Sequence, residues 1–241
     1  MYLIKTPWWL RALYPSFIWK IYTDEKVIYL TFDDGPHKTA TSFVLDELKK
    51  FNAKATFFCV GNNVVSYGEI YQRILEEGHS VGNHTYHHLN GWKSTDQLYV
   101  KDVYEAAREI DSSLFRPPYG RIKKFQAKLL GDASLEKENL DPRVKNGEVD
   151  DRSYEQENVS EEPALRRIPF SIVMWDVISG DFDTQLLPKE CLENVVLNAG
   201  PGSIVVFHDS TKAWDRMSFA LPGVLEYFSK KGYSFKALQG L

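Results

Sequence analysis

Strand-like and helix-like runs of hydrophobic positions alternate along most of the chain. The strand-like runs lie at residues 27–32, 55–60, 79–83, 113–117, 169–177, 203–208 and 233–238. The helix-like runs, whose apolar residues recur every three or four positions, begin near Thr41 and then cover 67–78, 94–111, 121–130, 188–199 and 212–230. This alternation predicts about seven parallel strands covered by helices, either as an α/β barrel or as a doubly wound sheet.

Residues 132–167 interrupt this alternation. The segment contains eleven acidic and six basic side chains but a single aromatic residue. So polar a segment buries too little apolar surface to offset the entropy lost on ordering, and we therefore expect a mobile insertion here. The net charge of −4 for the whole chain originates in this insertion.

The composition is typical of a soluble domain. Hydrophobic residues make up 43% of the 241 residues, and no apolar run approaches the roughly 20 residues of a membrane span. The weakly negative net charge gives no electrostatic reason to expect nucleic acid as a partner. Cys59 and Cys191 form no CxxC pair, and they predict neither a disulfide framework nor a zinc knuckle.

The N-terminal segment is rich in aromatic residues and is interpreted separately. We expect residues 1–25 to form an extension, and residues 26–241 to form one domain that includes the insertion. The extension shows no cleavable signal pattern, because its longest uncharged run contains Pro15 and no small-residue site follows. It is expected to pack on the domain, with a weak membrane contact through residues 8–19 as the alternative. The expected location is the cytoplasm or the periphery of a membrane.

Ionisable side chains follow five of the predicted strands, where each strand ends. In parallel α/β folds the carboxyl ends of the strands share one face, and functional groups gather there. The residues predicted on this face are Asp33, Asp34, His84, His87, His88, Arg116, Asp176, Asp181, His208 and Asp209. We therefore expect one polar site at this rim of the sheet.

The sequence NHTYHH contains the strongest metal-binding signal. His84 and His88 are four residues apart, so on a helical turn both imidazoles can bind one ion. His87 competes with His88, because a spacing of three also places two residues on one face. A carboxylate from the first strand would complete a site of two histidines and one aspartate. Three protein ligands leave a position open for reaction, as in catalytic zinc sites.

The adjacent carboxylates of Asp33 and Asp34 fit such a site. One would bind a divalent ion, which relieves the repulsion between them and lowers the pKa of a water molecule towards about 7. The other would then take the proton of that water, and Arg116 would hold this second carboxylate in place.

His208 is the candidate acid of the site. It ends the sixth strand, on the far side of the predicted metal, where it would protonate a leaving group. Either Asp181 or Asp209 would fix its tautomer and raise its pKa.

Five motifs, in this order, resemble those of the metal-dependent polysaccharide deacetylases of carbohydrate esterase family 4, which share a NodB-type homology domain. They are TFDDGP (31–36), HTYHH (84–88), RPPYG (116–120), WDVISGDF (175–182) and IVVFH (204–208). TFDDGP together with HTYHH is a highly specific combination, and the resemblance extends from residue 26 to about residue 238. It implies a distorted (β/α)7 barrel.

The resemblance also implies the metal ligands and the reaction. Asp34, His84 and His88 would bind a divalent metal ion, with Zn2+ expected and Co2+ or another divalent ion as alternatives. The implied activity is hydrolysis of acetyl groups from N-acetylated amino sugars of a polysaccharide or glycoconjugate, such as chitooligosaccharides or peptidoglycan. An acetylxylan-type esterase or a small-amide hydrolase would use the same site.

The remaining motif residues are implied to take part in catalysis. Asp33 would be the general base, positioned by Arg116. His208 would be the general acid, paired with Asp181. Tyr119 would lie at the site, where its backbone N–H would help the metal to stabilise the oxyanion.

The chain departs from the family pattern in two places. The fourth motif is D-x-x-D-W in the family, but Ile178 stands at its first Asp and Phe182 at its Trp. His87 is an additional imidazole to which the pattern gives no role.

Two other classes of protein compete with a deacetylase. A non-haem iron oxygenase also uses two histidines and one carboxylate, but it does not need the adjacent base or the separate acid. A catalytically inactive carbohydrate-binding domain would not need the complete set of candidate catalytic residues.

Overall fold

A curled parallel sheet lies at the centre of the fold. The computed structural model describes residues 2–131 and 169–239, so the predicted insertion at 132–167 lies outside the described residues. The described strands are β1 Val27–Asp33, β2 Thr56–Cys59, β3 Ser80–Asn83, β4 Leu114–Phe115, β5 Ser171–Ile172, β6 Val177–Ile178, β7 Ile204–His208 and β8 Ser234–Phe235. Their order is β5-β4-β3-β2-β1-β7-β6, and β8 pairs with the start of β1. The α/β fold is therefore confirmed, as a sheet curled into a distorted (β/α)7 barrel.

Helices pack their apolar faces against this sheet. The described helices are α1 Trp8–Leu13, α2 Ala40–Lys50, α3 Gly61–Ser66, α4 Gly68–Glu76, α5 Asp96–Ala106, α6 Lys124–Gly131, α7 Pro188–Val196 and α8 Trp214–Lys230. In α2, for example, Val44, Leu45 and Leu48 are fully buried. The sequence pattern missed α1 and α3, both of six residues, because so short a run carries too few apolar repeats to be recognised. Within the described ranges, no helix has the length and hydropathy needed to cross a bilayer.

The strand predicted at 169–177 is divided into β5 and β6. Between them, the carbonyls of Val173 and Met174 accept hydrogen bonds from the guanidinium of Arg116, at 3.1 and 2.9 Å. The break in the strand thus supplies acceptors for a fully buried cation, which would otherwise lose its hydration without replacement.

Asp176 corrects one prediction. Because the strand is divided, this residue precedes β6 instead of following a strand. Its buried carboxylate accepts a hydrogen bond from the hydroxyl of Ser203 at 2.6 Å, just before β7, and forms an ion pair with Arg11. Asp176 therefore lies at the amino end of the strands and does not join the polar rim.

Residues 2–20 lie across the opening between β5 and β6. Isolated β-bridges connect the segment to the sheet, joining Lys5 to Val177, Ile18 to Val173 and Lys20 to Ser203. Arg11 adds its ion pair with Asp176, and the N–H of Thr6 donates to the Asp176 carbonyl at 2.8 Å. The segment therefore packs on the domain through backbone pairing as well as through side chains.

The aromatic residues of this segment divide into two groups. Trp19 is only 7% exposed, and Phe17 packs against the same apolar cluster. Trp8 and Trp9 are 80% and 49% exposed. Of these four residues, Trp8 and Trp9 are thus the exposed pair.

Candidate active site

The register of the strands brings four of the predicted residues to one rim, namely Asp33, His84, Arg116 and His208. Asp33, the last residue of β1, is the lateral partner of His208, the last residue of β7. On the other side, Asn83 of β3 is paired with Phe115 of β4. His84 and Arg116 follow these two residues directly, so they also leave the sheet at the same level.

Asp34, His84 and His88 form a compact group, the candidate metal group. Their candidate ligand atoms all lie within 4.8 Å of one another. Asp34 Oδ1 is 3.8 Å from His84 Nε2 and 3.1 Å from His88 Nε2. The two imidazole rings are 5.1 Å apart between centroids. The structure therefore brings together the three residues that the sequence assigned to a metal.

These spacings fit a small divalent ion. Ligand atoms that each lie about 2.0–2.2 Å from a tetrahedral zinc ion are separated by roughly 3 to 3.5 Å, which is close to the spacings found here. Two imidazoles and one carboxylate are also a donor set that zinc favours. The residues present thus fit the metal that the family pattern implies.

His84 is oriented by its backbone neighbours. Its Nδ1 is 2.7 Å from the carbonyl of Arg116, so this nitrogen carries the proton and Nε2 presents its lone pair to the group. Burial lowers the pKa of His84 to about 4, although the charge of Asp33 opposes this shift. The ring is therefore neutral at pH 7, as a metal ligand must be.

Asp34 is held as an anion. Burial alone would raise its pKa, but a hydrogen bond from His88 and the positive charge of His208 outweigh burial and lower the pKa well below its usual range. Its carbonyl accepts a hydrogen bond from the side chain of Asn63 at 2.8 Å. This bond fixes the turn from which the carboxylate projects.

Asp33 lies beside the group and is paired with Arg116. Nη1 of Arg116 donates to Asp33 Oδ1 at 2.7 Å and to the hydroxyl of Thr31 at the same distance. The guanidinium also stacks on the ring of Phe58, at 4.1 Å. Arg116 is fully buried, so its charge is compensated by Asp33 and the carbonyls described above.

His208 is paired with Asp181 and not with Asp209. The ring Nδ1 of His208 is 2.7 Å from Asp181 Oδ1, and the backbone N–H of His208 donates to Asp181 Oδ2 at 2.7 Å. Burial alone would lower the pKa of His208, but the charge of Asp181 and this hydrogen bond raise it to about 10. The imidazole is therefore a cation at neutral pH.

The wall beside His208 is aromatic. The ring of Phe182, which stands at the Trp position of the family motif, meets the imidazole edge-on at 5.4 Å. Tyr2 packs against Phe182 at 4.9 Å, so the N-terminal segment reaches the site. No pattern in the sequence indicated this contact, because it joins residues far apart in the chain.

Tyr119 lies at the mouth of the group. Its ring contacts His88, with centroids 4.7 Å apart, and the side chain is 62% exposed. Its φ angle is +61°, in the left-handed region that tyrosine rarely adopts. Five described residues other than glycine have positive φ, and four of them are Asp34, Thr85, His88 and Tyr119. Such strain persists only where the surrounding structure enforces it, and it is typical of functional sites.

His87 faces away from the group. Its Nδ1 is 2.6 Å from Asp102 Oδ1, and Oδ2 of the same carboxylate accepts the N–H groups of Tyr86 and His87 at 2.9 and 3.0 Å. Asp102 belongs to α5 and is 3% exposed. Sequence reasoning missed it, although a carboxylate between Tyr99 and Val103 on the apolar face of a helix was a usable signal.

Asp209 supports the turn that carries Asp34. Its carboxylate accepts the N–H of Gly35 at 2.9 Å and the hydroxyl of Thr41. A Cβ atom on Gly35 would overlap this carboxylate, which explains the glycine. Burial raises the pKa of Asp209 to about 8 despite the hydrogen bond from Thr41.

A groove opens beside these residues. Its volume is about 530 Å³, and its walls include Asp34, His88, Asn62, Asn63, His37 and Lys212. An extended polar substrate can therefore approach the group from solvent.

Comparison with known proteins identifies relatives of this chain. Residues 20–136 match the family model described as polysaccharide deacetylase. A peptidoglycan-N-acetylglucosamine deacetylase of Bacillus cereus is 30% identical over 229 residues, covering 92% of this chain and 91% of the relative. The peptidoglycan-N-acetylmuramic acid deacetylase PdaA of Bacillus subtilis is 28% identical over 228 residues, covering 91% of this chain and 72% of the relative.

A solved structure agrees with these relatives. The crystal structure of a peptidoglycan N-acetylglucosamine deacetylase, in complex with an N-oxidanyl-benzamide, matches with a TM-score of 0.72 and 28% identity. The match covers 97% of this chain and 95% of that chain. This chain belongs to the polysaccharide deacetylases of carbohydrate esterase family 4, with their NodB homology domain.

Proposed function

We propose that this protein uses a divalent metal ion, expected to be Zn2+, to remove acetyl groups from N-acetylated amino sugars of a polysaccharide or glycoconjugate. The observation that carries this proposal is the convergence of three elements at one rim. They are the group of Asp34, His84 and His88, the Asp33–Arg116 pair and the His208–Asp181 pair. Membership of the deacetylase family supports the same reaction.

The metal would be held by Asp34, His84 and His88. A bound divalent ion supplies Lewis acidity, which lowers the pKa of water and polarises an acetyl carbonyl. His84 is suited to this role because its other nitrogen is committed to the Arg116 carbonyl.

Asp33 would act as the general base. Arg116 donates to its Oδ1, which leaves Oδ2 to accept a proton from the attacking water molecule. The backbone N–H of Tyr119, in its strained turn at the mouth of the group, would donate to the oxygen that becomes negatively charged.

His208 would act as the general acid. Its cationic form carries a proton on Nε2, since Nδ1 is committed to Asp181. As the acetyl carbon gains its bond to the water oxygen, the C–N bond breaks and the nitrogen takes this proton. The products are acetate and a free amine.

One experiment tests the metal and the base together. We expect acetate release from N-acetylglucosamine oligomers with added Zn2+ or Co2+, and none after chelation. Asp34→Ala, His84→Ala and His88→Ala should each lose bound metal and activity. Asp33→Asn should keep the metal but lose most turnover, because the attacking water then lacks a base.

His87→Ala is the matched control, since it removes a neighbouring imidazole that faces Asp102. It should keep metal content, measured by elemental analysis, and activity. Metal loss in His87→Ala with normal binding in His88→Ala would contradict the assignment of ligands. Oxygen consumption without acetate release would indicate the oxygenase, and glycan binding without turnover would indicate a binding domain.

A panel of substrates separates the activities that share this site. Acetate release should be measured from N-acetylglucosamine oligomers, peptidoglycan, acetylxylan and a small N-acetyl amide. We expect release from the amino-sugar polymers, because His208 supplies the proton that an amine leaving group requires. Exclusive cleavage of acetylxylan would replace the proposal by an esterase.

A further inference from the structure

Trp92 is a large aromatic residue that is held rigidly at the rim. Its side chain is 60% exposed. Nevertheless, its Nε1–H donates to the carbonyl of Ile122 at 3.2 Å, and the guanidinium of Arg121 lies 5.2 Å from the ring centroid. The N–H edge of the indole is thus hydrogen-bonded and one of its faces meets Arg121, while the rest of the ring is exposed to solvent.

The loop beneath Trp92 is equally fixed. The backbone N–H of Trp92 donates a hydrogen bond to the side-chain oxygen of Asn90 at 3.1 Å. Fully buried Gln126 donates to the carbonyl of Gly91 at 3.0 Å, and the N–H of Gly91 donates to the Arg121 carbonyl at 3.2 Å. A scattered surface tryptophan has no need of such support, which orients the ring before any ligand arrives.

Trp92 and the candidate active site are joined through the same two chain segments. At one end of these segments the rings of His88 and Tyr119 are in contact, with centroids 4.7 Å apart. Further along the same segments, the indole of Trp92 is bonded to the carbonyl of Ile122. Asn90 and Lys93, which flank Trp92 in the sequence, are polar, and so is Arg121, whose guanidinium lies against the indole. Trp92 therefore lies beyond His88 along these two segments, among polar residues.

We propose that the exposed face of Trp92 is a glycan subsite, which stacks on a sugar ring of the polysaccharide beyond the sugar that is deacetylated. The faces of a pyranose ring present C–H groups that pack on a flat aromatic ring, while its hydroxyls bind the polar surroundings. The inference rests on the proposed function, because it states where the remainder of that substrate lies.

The test compares short and long substrates. We expect kcat/KM for acetate release in the native protein to be larger for the N-acetylglucosamine pentasaccharide than for the disaccharide. The gain is the ratio of kcat/KM for the pentasaccharide to kcat/KM for the disaccharide. Trp92→Ala should reduce this ratio about tenfold, since only the longer glycan reaches the ring. Trp92→Phe should keep most of it. Trp8→Ala, which removes another exposed tryptophan, is the matched control and should leave the gain unchanged.

Each outcome decides the proposal. An equal loss on both substrates would mean that Trp92 only supports the loop, and an unchanged gain would mean that no sugar binds there; either result overturns the subsite. If the native protein releases no acetate from either glycan, the proposed function fails. The subsite is then judged by calorimetric binding of the pentasaccharide, which Trp92→Ala must weaken about tenfold.

Discussion

At the scale of single residues, the Asp181 carboxylate controls the charge of His208. Asp181→Asn removes the negative charge that raises the pKa of His208 to about 10, and it leaves a single amide oxygen where two carboxylate oxygens accept from the ring Nδ1 and the backbone N–H of His208. The imidazole then loses its proton at lower pH. We expect the basic limb of the kcat/KM profile to move towards acid by at least one pH unit, with a lower maximum rate.

Asp111→Asn, on an exposed carboxylate away from the rim, is the control and should leave the profile in place. A profile of unchanged shape in Asp181→Asn, reduced only in height, would show that Asp181 orients the ring without setting its charge.

Single residues also show where sequence reasoning stopped. The grouping of Asp34, His84 and His88 was predictable, because the spacing of the histidines and the position of Asp34 after a strand are local features. The predicted helical turn was wrong, since residues 84–88 form an irregular turn in which Thr85 and His88 have positive φ. Residue patterns alone left the choice between Asp181 and Asp209 open, since it depends on which carboxylate the folded chain turns towards His208, and only the family resemblance implied Asp181. Asp209 instead bonds Gly35.

At the scale of secondary structure elements, α5 supports the turn that carries the histidines. Asp102 accepts two backbone N–H groups and the His87 ring from this turn. In Asp102→Ala these donors lose their buried acceptor, which should reduce the free energy of unfolding by roughly 1 to 3 kcal/mol. We also expect weaker zinc binding, because His88 loses its fixed backbone.

Urea denaturation and a zinc titration measure both effects. Lys101→Ala, which removes an exposed side chain from the same helix, should change neither. Normal stability and zinc affinity in Asp102→Ala would show that the turn is rigid without α5.

Elements differed in how far the pattern predicted them. Long strands and helices such as β1 and α8 were recognised because many residues repeat the same period. The division of the strand at 169–177 was not, since the acceptors of Arg116 are carbonyl groups, which every residue carries. Hydrophobicity alone cannot distinguish a continuous strand from one interrupted to compensate a buried charge.

At the scale of the whole molecule, the described residues on either side of 132–167 lie opposite the site. α6 ends at Gly131 and β5 begins at Ser171, so the connection enters the sheet at the amino ends of the strands. We therefore propose that the reaction does not depend on 132–167, which lies outside the described residues. Replacing 134–165 with a short Gly/Ser linker should leave kcat/KM on a small acetylated sugar within about threefold, because long loops close at modest entropic cost. A hundredfold loss with intact metal content would instead place the segment at the site.

Global stability should depend on pH through His79. Burial and the charge of Lys54 lower the pKa of this histidine to about 4, while its Nδ1 accepts the N–H of Ala55 at 3.1 Å. Between about pH 6.5 and pH 4 the unfolded chain binds a proton that the folded protein does not, so stability rises with pH there. We expect His79 to account for up to about 3 kcal/mol lost on acidification across this window.

His79→Asn keeps an acceptor for Ala55 but cannot titrate. The free energy of unfolding, measured by urea at pH 4 to 8, should therefore fall less steeply in the variant than in the native protein. Parallel curves for the two proteins would assign the acid sensitivity to other groups.

The docking of residues 2–20 also has a consequence for synthesis on the ribosome. This segment is synthesised long before its partners Val173, Val177 and Ser203. At about 5–20 residues per second, the wait is roughly 10 to 35 s. During that time Trp19, which is buried in the finished protein, remains exposed beside the five other aromatic side chains of residues 2–20. The nascent chain therefore offers a binding site for chaperones that disappears when the barrel closes.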